Sequence, residues 1–448
     1  MQSAVSTYLK FIELIQLDNW SVQTLLDSKV DYSNRFEFAK IGEFLIKKRQ
    51  IVNIEDGKFY KRVTVKINNN GVVLRDIEQG INIGTKKQYL ANSGQFIISK
   101  IDARNGAFGI IPNDLDGAIV TNDFPLFEVN EKRINPQFLL LITTTKEFIK
   151  FAQSCSSGTT NRQRMDIDLF LNQKIPLPSI SEQNKIVNDY NKNVREASEL
   201  QQQAIKLESE IENYFFEQLG LEKEEEGILK KGIQLVQFEY LEKWGLDFIK
   251  GNVALNESNF RKYSVSDLCK ISSGGTPSRS RKEYFENGNI PWIKTGELNN
   301  NIIYDTEEKI TSDALKFSSA KLYDVGSIAI AMYGATIGKT AKLGVKAATN
   351  QACAVLFDIN NEIVLTDYLW EFLQTQTNNL KKMAYGSAQP NLNAGIISDY
   401  KVVVPSLTLQ TEIVKTITNY KNQIKALKFK SVNFIDRAIH DFEKAIFS

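Results

Sequence analysis

The sequence predicts a mixed α/β (α+β) fold in which two globular domains, related by a pseudo-two-fold, are separated by two long antiparallel paired α-helices. Three observations carry that prediction. The chain repeats itself, in order, at about half its length. Each copy ends in a long run with the apolar spacing of a coiled coil. The segments in between alternate short β-rich runs with Gly, Asn and Asp turns.

The repeat comes first because it decides how every later motif is read. LIQLDNW (14–20) followed by YSNRFEFAKIGEFL matches LVQFEYLEKW (235–244) followed by NESNFRKYSVSDLC. SGQFIISKIDARNGAFGI (93–110) matches VGSIAIAMYGATIGKTA (325–341), and Thr121-Asn122 matches Thr349-Asn350. FEVN (127–130) matches FDIN (357–360), and CSSG (155–158) matches MAYG (383–386). KIPLPSISEQNKIV (174–187) matches KVVVPSLTLQTEIV (401–414). The offset drifts between about 221 and 232 residues and never breaks. Matches in such an order mark one frame used twice.

Taken along the chain, residues 1–35 are the repeat partner of 227–259. Residues 36–178 form the first globular domain, with the runs VTVKI, GQFIIS and AIVTNDFPLFEV and one helix over 135–153. Residues 179–226 are a long helix. Its apolar residues Ile186, Tyr190, Val194, Ala197, Leu200, Ala204, Leu207, Ile211 and Tyr214 are spaced by threes and fours, Ser181 is its expected cap, and Gly220 ends it. Residues 260–405 form the second domain, with SIAIAM, QACAVLF and KVVVP and a helix over 366–383. Residues 406–448 are the second long helix, with Thr408 as its expected cap and a seam of Ile413, Ile417, Tyr420, Ile424, Leu427, Phe434 or Ile435, Ala438 and Phe442. Each helix spans about 50 Å at 1.5 Å per residue. Neither is stable with its apolar stripe in water. The region 182–226 holds twelve acidic and five basic residues, and 410–448 holds four acidic and seven basic. Opposite surpluses favour pairing of the two with each other. A paired rod between two domains acts as a ruler.

Composition excludes several classes. The chain of 448 residues is 42% hydrophobic and 24% charged, which suits a soluble globular protein of several domains. No apolar stretch reaches the roughly 18 residues of a membrane helix, and the N-terminal residues lack the pattern of a secretory signal. Three cysteines, Cys155, Cys269 and Cys353, lie far apart beside a single histidine, His440, so no zinc spacing exists. A nucleophile needing a histidine base has only His440, which falls in the helical tail and reads as a solvent-facing residue. Scattered free thiols point to a reducing cytoplasm. Net charge is +2, too little for coating DNA by charge alone. Its distribution says more: 36–178 carries 20 basic and 15 acidic residues, 260–405 carries 16 and 14, and the acidic surplus sits on one helix.

The loops of both domains are rich in groups that read base edges and hold phosphates. In the second domain SSGGTPSRSRKEYF brings Thr276, Ser278, Arg279 and Arg281, and PWIKTGELNN brings Lys294, Thr295 and Asn299. MYGATIGKT brings Tyr333 and Lys339, and GSAQPNLN brings Gln389, Asn391 and Asn393. In the first domain the matching loops bring Lys100, Arg104 and Asn105, then Thr160, Asn161, Arg162, Gln163 and Arg164. Arginine pairs bidentately with guanine, asparagine and glutamine with adenine, while lysine, hydroxyls and backbone amides suit phosphate.

Three segments imitate catalytic motifs. GATIGKT (334–340) has three residues, where a phosphate-binding P-loop has four, between its first glycine and GKT, and is expected to be a turn. NPQF (135–138) approaches the Asn-Pro-Pro-Phe/Tyr motif of adenine methyltransferases but has Gln137 in place of the second proline, and reads as a helix start. Asp114 and Asp116 fall in an apparent turn. An enzyme with an unfamiliar site would depend on these two and His440.

SGGTPSRSRKEYFENGNIPWIKTGEL (273–298), AMYGATIGKTA (331–341), ATNQACAVL (348–356) and IPLPSISEQNKIV (175–187) together resemble the specificity subunits of type I restriction–modification systems. The second half carries that family's pattern throughout. The first half lacks the GGTPS and IPW segments, and GTTNRQRMD replaces the usual glycine- and serine-rich turn. The resemblance implies two target recognition domains, each reading one half of a split asymmetric site in double-stranded DNA, with helices that set the spacer and dock two methyltransferase subunits. It implies that S-adenosylmethionine is bound by those subunits, that ATP and Mg belong to separate restriction (translocase) subunits, and that this chain binds no cofactor or metal, is not an enzyme, and works in the cytoplasm away from membranes. Two other readings compete with it: a specificity module for a stand-alone adenine methyltransferase, and a coiled-coil adaptor that binds only proteins.

Overall fold

The computed structural model describes Tyr32 and residues 35–157, 164–221, 258–384 and 391–448. The chain divides into two compact units, Met1–Leu200 with Lys430–Ser448, and Gln201–Phe429. Each therefore takes in one globular domain and a part of each long helix. Helices are numbered α1 (Pro136–Thr144), α2 (Lys146–Ser154), α3 (Ile167–Asn172), α4 (Ile180–Leu219), α5 (Val265–Leu268), α6 (Ser312–Lys316), α7 (Thr366–Thr375), α8 (Thr377–Lys382), α9 (Ala394–Asp399) and α10 (Leu407–Phe447).

The two domains share one strand order. In the first, an antiparallel sheet runs Leu45–Lys48, Leu126–Val129, Phe96–Ile98, Phe108–Ile110. In the second, the same sheet runs Lys270–Ser273, Cys353–Phe357, Ile328–Ala331, Thr340–Leu343, with Asn301–Ile303 added in parallel at the edge. A second sheet follows suit. Lys87–Ala91, Ala118–Val120, Phe59–Val65 and Val72–Gln79 correspond to Leu322–Tyr323, Ala347–Thr349, Ile290–Ile293 and Lys309–Ile310, the middle pair is parallel in both, and the first domain alone adds Ile51–Asn53 antiparallel to Lys87–Ala91 at the edge. A two-stranded ribbon then closes each domain: Phe38–Lys40 with Lys174–Pro176, and Arg261–Ser264 with Lys401–Val404. The frame thus survives where the sequences diverge.

The single helix expected in each domain is two. The first breaks at Thr145, which is extended (φ −68°, ψ 149°) and whose hydroxyl accepts from the Phe148 amide to cap α2. The cause is the run Thr143-Thr144-Thr145. Each hydroxyl donates to a carbonyl three residues back, and β-branched residues are poor helix formers. The second breaks at Gln376 between two threonines. Its buried side chain accepts from Tyr400 Oη at 2.8 Å and from Asn379. The helices α3, capped by Asp166, and α9, capped by Asn393, begin where the polar loops 158–166 and 386–393 end.

Both long helices form, and each starts one residue before the expected cap. Ser179 and Ser406, each following a proline, accept from the amides of Glu182 and Leu409, so Ser181 and Thr408 lie inside the first turn. Gly220 ends α4 in the left-handed region (φ 62°). Within the first unit Tyr190 meets Phe442 edge-on at 6.2 Å and Ser431 Oγ donates to the Ala197 carbonyl at 2.8 Å. Within the second, Tyr214 meets Tyr420 at 6.4 Å and Lys428 pairs with Glu208 at 2.7 Å. In both, residue numbers rise on one helix as they fall on the other, so the segments are antiparallel. All the seam positions are buried or half-buried.

The helices are also sewn into the domain cores. Phe215 is fully buried against Tyr368 and Phe372 of α7, and Phe442 packs edge-on against Phe138 of α1. Each such side chain stabilises its unit by about 1.5–3 kcal/mol. A buried glutamine repeats the junction in polar form. Gln183 Oε1 accepts from the Asn135 amide at 2.7 Å, and its Nε2 donates to Arg133 O at 3.2 Å and Pro178 O at 2.8 Å. Gln410 does the same with Leu365 N at 2.8 Å, Ile363 O at 3.0 Å and Pro405 O at 2.8 Å. Both glutamines have no exposed surface, and each ties the first turn of a long helix to the start of its domain's helix.

Candidate nucleic-acid interface

In the second domain the loops singled out by sequence meet on one rim. The GGTP segment threads between two turns: Gly274 N donates to Cys353 O at 3.0 Å, Gly275 N to Thr349 O at 2.9 Å, and Trp292 Nε1 to Gly275 O at 3.1 Å. A methyl group on either glycine would overlap backbone, at Thr349 and Asn350 for Gly274 and at Ser319 and Ala320 for Gly275. These glycines are therefore packing residues that set the path of Thr276, Ser278 and Arg279. Thr276 hydrogen-bonds Gln351, a rim residue that sequence reading passed over. Thr336 Oγ1 donates to Thr295 O at 2.7 Å and Lys339 Nζ to Asn299 Oδ1 at 2.7 Å, joining two of the loops. Tyr333 bridges Asn391, which brings in a third.

Two of the cations on this rim, Arg279 and Lys294, are compensated by carboxylates. Arg279 lies over Phe285 and Trp292, 4.5 and 5.0 Å from the ring centroids, and donates to Glu308 at 2.5 Å. Lys294 donates to Glu308 at 3.0 Å and Glu307 at 3.2 Å. The Arg279 guanidinium, with help from Lys294, holds the Glu308 carboxyl below the usual carboxylate range, and the same hydrogen bonds raise Lys294. Arg281 donates to Tyr284 Oη at 2.8 Å. Asn393 caps α9 by accepting from Ile396 N at 2.9 Å. Gln389 lies outside the described residues.

In the first domain the expected residues fall in two places. Lys100 N donates to Asp123 O and Met165 N to Lys100 O, both at 2.9 Å, so Lys100, Asp123 and Arg164 adjoin. Arg164 forms a two-pronged pair with Asp123 at 3.0 and 3.3 Å, which lowers the aspartate and raises the arginine. Arg104 and Asn105 sit in the turn of 103–105, where Asn105 O accepts from Asn68 at a hairpin tip. Thr160, Asn161, Arg162 and Gln163 lie outside the described residues. Sequence reading missed Lys47, Lys48 and Arg49, which line a cleft with Lys100, Tyr89 and Asn122. The signal was present as three consecutive cations closing the strand that corresponds to Lys270–Ser273, just before GGTP in the other copy.

The imitation motifs resolve as expected. GATIGKT joins strand Ile328–Ala331 to its antiparallel neighbour Thr340–Leu343, whereas a P-loop leads from a strand into a helix. Asn135 caps α1 with Pro136 in the first turn, its Oδ1 accepting from Gln137 N and Phe138 N. Asp114 and Asp116 are exposed in a turn, where Asp116 accepts from Ser93 N. His440 is exposed on α10. No group of three His, Cys, Asp or Glu placed for a metal occurs among the described residues, and none of the described helices is long and apolar enough to cross a membrane.

One frame, built twice, with cations, amides and hydroxyls on the loops of each copy in different sets, defines a duplicated recognition protein. The chain belongs to the family described as the type I restriction modification DNA specificity domain, whose model matches residues 34–208 and 257–433. It is similar to the specificity subunit of the type I restriction enzyme EcoR124I/EcoR124II of Escherichia coli, 26% identical over 189 residues, or 41% of this chain and 45% of that one. That alignment takes in less than half of the relative's length. It is also similar to the HindI specificity subunit of Haemophilus influenzae, 23% identical over 443 residues, covering 87% of this chain and 90% of that one. A chain solved in a study of assembly and conformational transition of the type I R-M system shares the fold: TM-score 0.59, 18% identity, 93% of this chain and 99% of that one.

Proposed function

We propose that this chain selects DNA sequence for a type I restriction–modification assembly and carries out no chemistry itself. Each domain reads one half of a bipartite, asymmetric site in double-stranded DNA. The paired helices set the number of unread base pairs and seat two methyltransferase subunits, which bind S-adenosylmethionine and methylate adenine. Restriction subunits, with ATP and Mg, translocate and cut. The assembly works in the cytoplasm.

The observation that carries this reading is the common order of four strands in each sheet of two domains whose loops hold unlike side chains. A shared frame with different contents suits two different half-sites. Docking on the helices is supported by Ile205 on α4 and by Phe429, Val432 and Ile439 on α10, apolar side chains that remain exposed away from the seam. The readers put forward are Lys100, Arg104, Asn105 and the 160–164 loop on the first domain. On the second they are Thr276, Ser278, Arg279, Arg281, Lys294, Thr295, Tyr333, Lys339, Gln389, Asn391 and Asn393.

The test is single-molecule sequencing of methylated adenine in host strains. Replacing Arg162 and Arg164 with Ala should relax one half of the methylated motif, and Gln389→Ala with Asn391→Ala the other. Each lost bidentate contact costs about 1–3 kcal/mol of discrimination. A change in both halves from either pair refutes the assignment of one reader to each half.

A further inference from the structure

The cleft of the first domain brings together Lys47, Arg49 and Lys100, three cations that form no ion pair among the described residues. Lys47 lies near the end of strand Leu45–Lys48, Arg49 follows that strand directly, and Lys100 lies in the loop after strand Phe96–Ile98. Strand Leu126–Val129 lies between those two strands, and the approach to it supplies Asn122, Phe124 and Pro125 to the cleft. Burial, then repulsion from Arg49 and from Lys100, holds the Lys47 ammonium below the ordinary lysine range, against a smaller pull from Asp168. Asp123, the carboxylate beside Lys100, is already engaged by Arg164, and Lys48 is paired with Glu128 at 2.9 Å. Arg49 lies over Tyr89, 5.9 Å from the ring centroid, and reaches Asn122 at 3.5 Å. The second domain differs: there Glu307 and Glu308 answer Arg279 and Lys294.

We propose that Lys47, Arg49 and Lys100 form a seat for a backbone phosphate of DNA on the first domain, beside the residues that read its half-site. This rests on the DNA-reading function above. Converging cations that form no ion pair of their own repel one another in the free protein and are relieved by an anion. Two of the three are lysines, whose ammonium is a point charge suited to a phosphate oxygen and lacks the planar fork that separates one base edge from another. The seat therefore contributes affinity and register to every sequence alike.

The test measures binding of the full chain to two fluorescent duplexes, one carrying the motif methylated in the host and one scrambled, across a salt titration. In the double variant Lys47→Ala, Lys100→Ala the seat predicts an equal fold-loss on both duplexes. It also predicts a fall of about 0.9 in the slope of log affinity against log salt, the value for one phosphate contact removed. Lys58→Ala, a lysine already paired with Glu55, should leave the slope alone. An unchanged slope in the double variant, a loss confined to one duplex, or an equal effect of Lys58→Ala overturns the seat. So does stabilisation of the wild type, but not of the double variant, by inorganic phosphate at matched ionic strength while DNA binding is unaffected, since the site then serves a free anion. A wild-type chain that cannot tell the two duplexes apart defeats the DNA-reading function instead.

Discussion

Replacing Gln410 by Met keeps roughly the side-chain volume of a fully buried residue while removing every hydrogen bond its side chain makes. The Leu365 N–H and the carbonyls of Ile363 and Pro405 then lose a partner that lies 2.8–3.0 Å away in the native protein. A buried polar group left unsatisfied costs about 1–3 kcal/mol, so three together cost on the order of 3–9 kcal/mol. Total domain stability is roughly 5–15 kcal/mol, which makes that loss a large share of it. Urea denaturation gives the global loss. Hydrogen exchange of the Leu365 amide gives the local one, because Gln410 Oε1 is its acceptor. Gln183→Met should show the same defect at the Asn135 amide. Gln410→Glu sharpens the test, since it turns a carboxyl toward two carbonyl oxygens. Its charged form is disfavoured in the fold, its folded pKa rises, and stability is lost as pH climbs through that raised value. A loss below about 1 kcal/mol in Gln410→Met, with Leu365 exchange unchanged, refutes the latch.

Glu371 is almost fully buried beneath Lys421, which donates to both its oxygens at 2.7 and 2.8 Å, and burial outweighs the lysine to push its carboxyl above the ordinary range. Lys421→Met removes that carboxylate's ion-pair partner, so the variant's deficit in urea midpoint should widen as pH rises from the ordinary glutamate range through the raised value; a deficit independent of pH refutes the account. Burial pushes the thiol of Cys155 up to about 11 and those of Cys269 and Cys353 up to about 12, leaving little thiolate at neutral pH. Iodoacetamide should add no mass to the native chain and label all three cysteines after denaturation, and rapid native labelling at any of them contradicts that burial.

Much of this protein was legible in one dimension because a duplicated frame leaves repeated marks. Periodicity placed both long helices, since an apolar residue every three or four positions has only one way to hide. The Gly220 stop, the Asn135-Pro136 start and the family likeness were local patterns of the same kind. Caps were read slightly off, because a serine two residues earlier offers the same hydroxyl and only backbone direction chooses Ser179 over Ser181 and Ser406 over Thr408. The threonine run at 143–145 could have announced the break between α1 and α2.

What the linear order leaves open is which groups face each other. No spacing reveals that Arg279 and Lys294 share Glu308, or that Lys47 and Lys100, 53 residues apart, crowd one cleft. The first domain lacks the GGTPS and IPW segments, yet its strands pair in the same order as those of the second. Strand order is held by alternation of buried side chains and by backbone hydrogen bonds, which many sequences satisfy. Charge pairing across a sheet depends on register and loop path, and those exist only once the chain has folded.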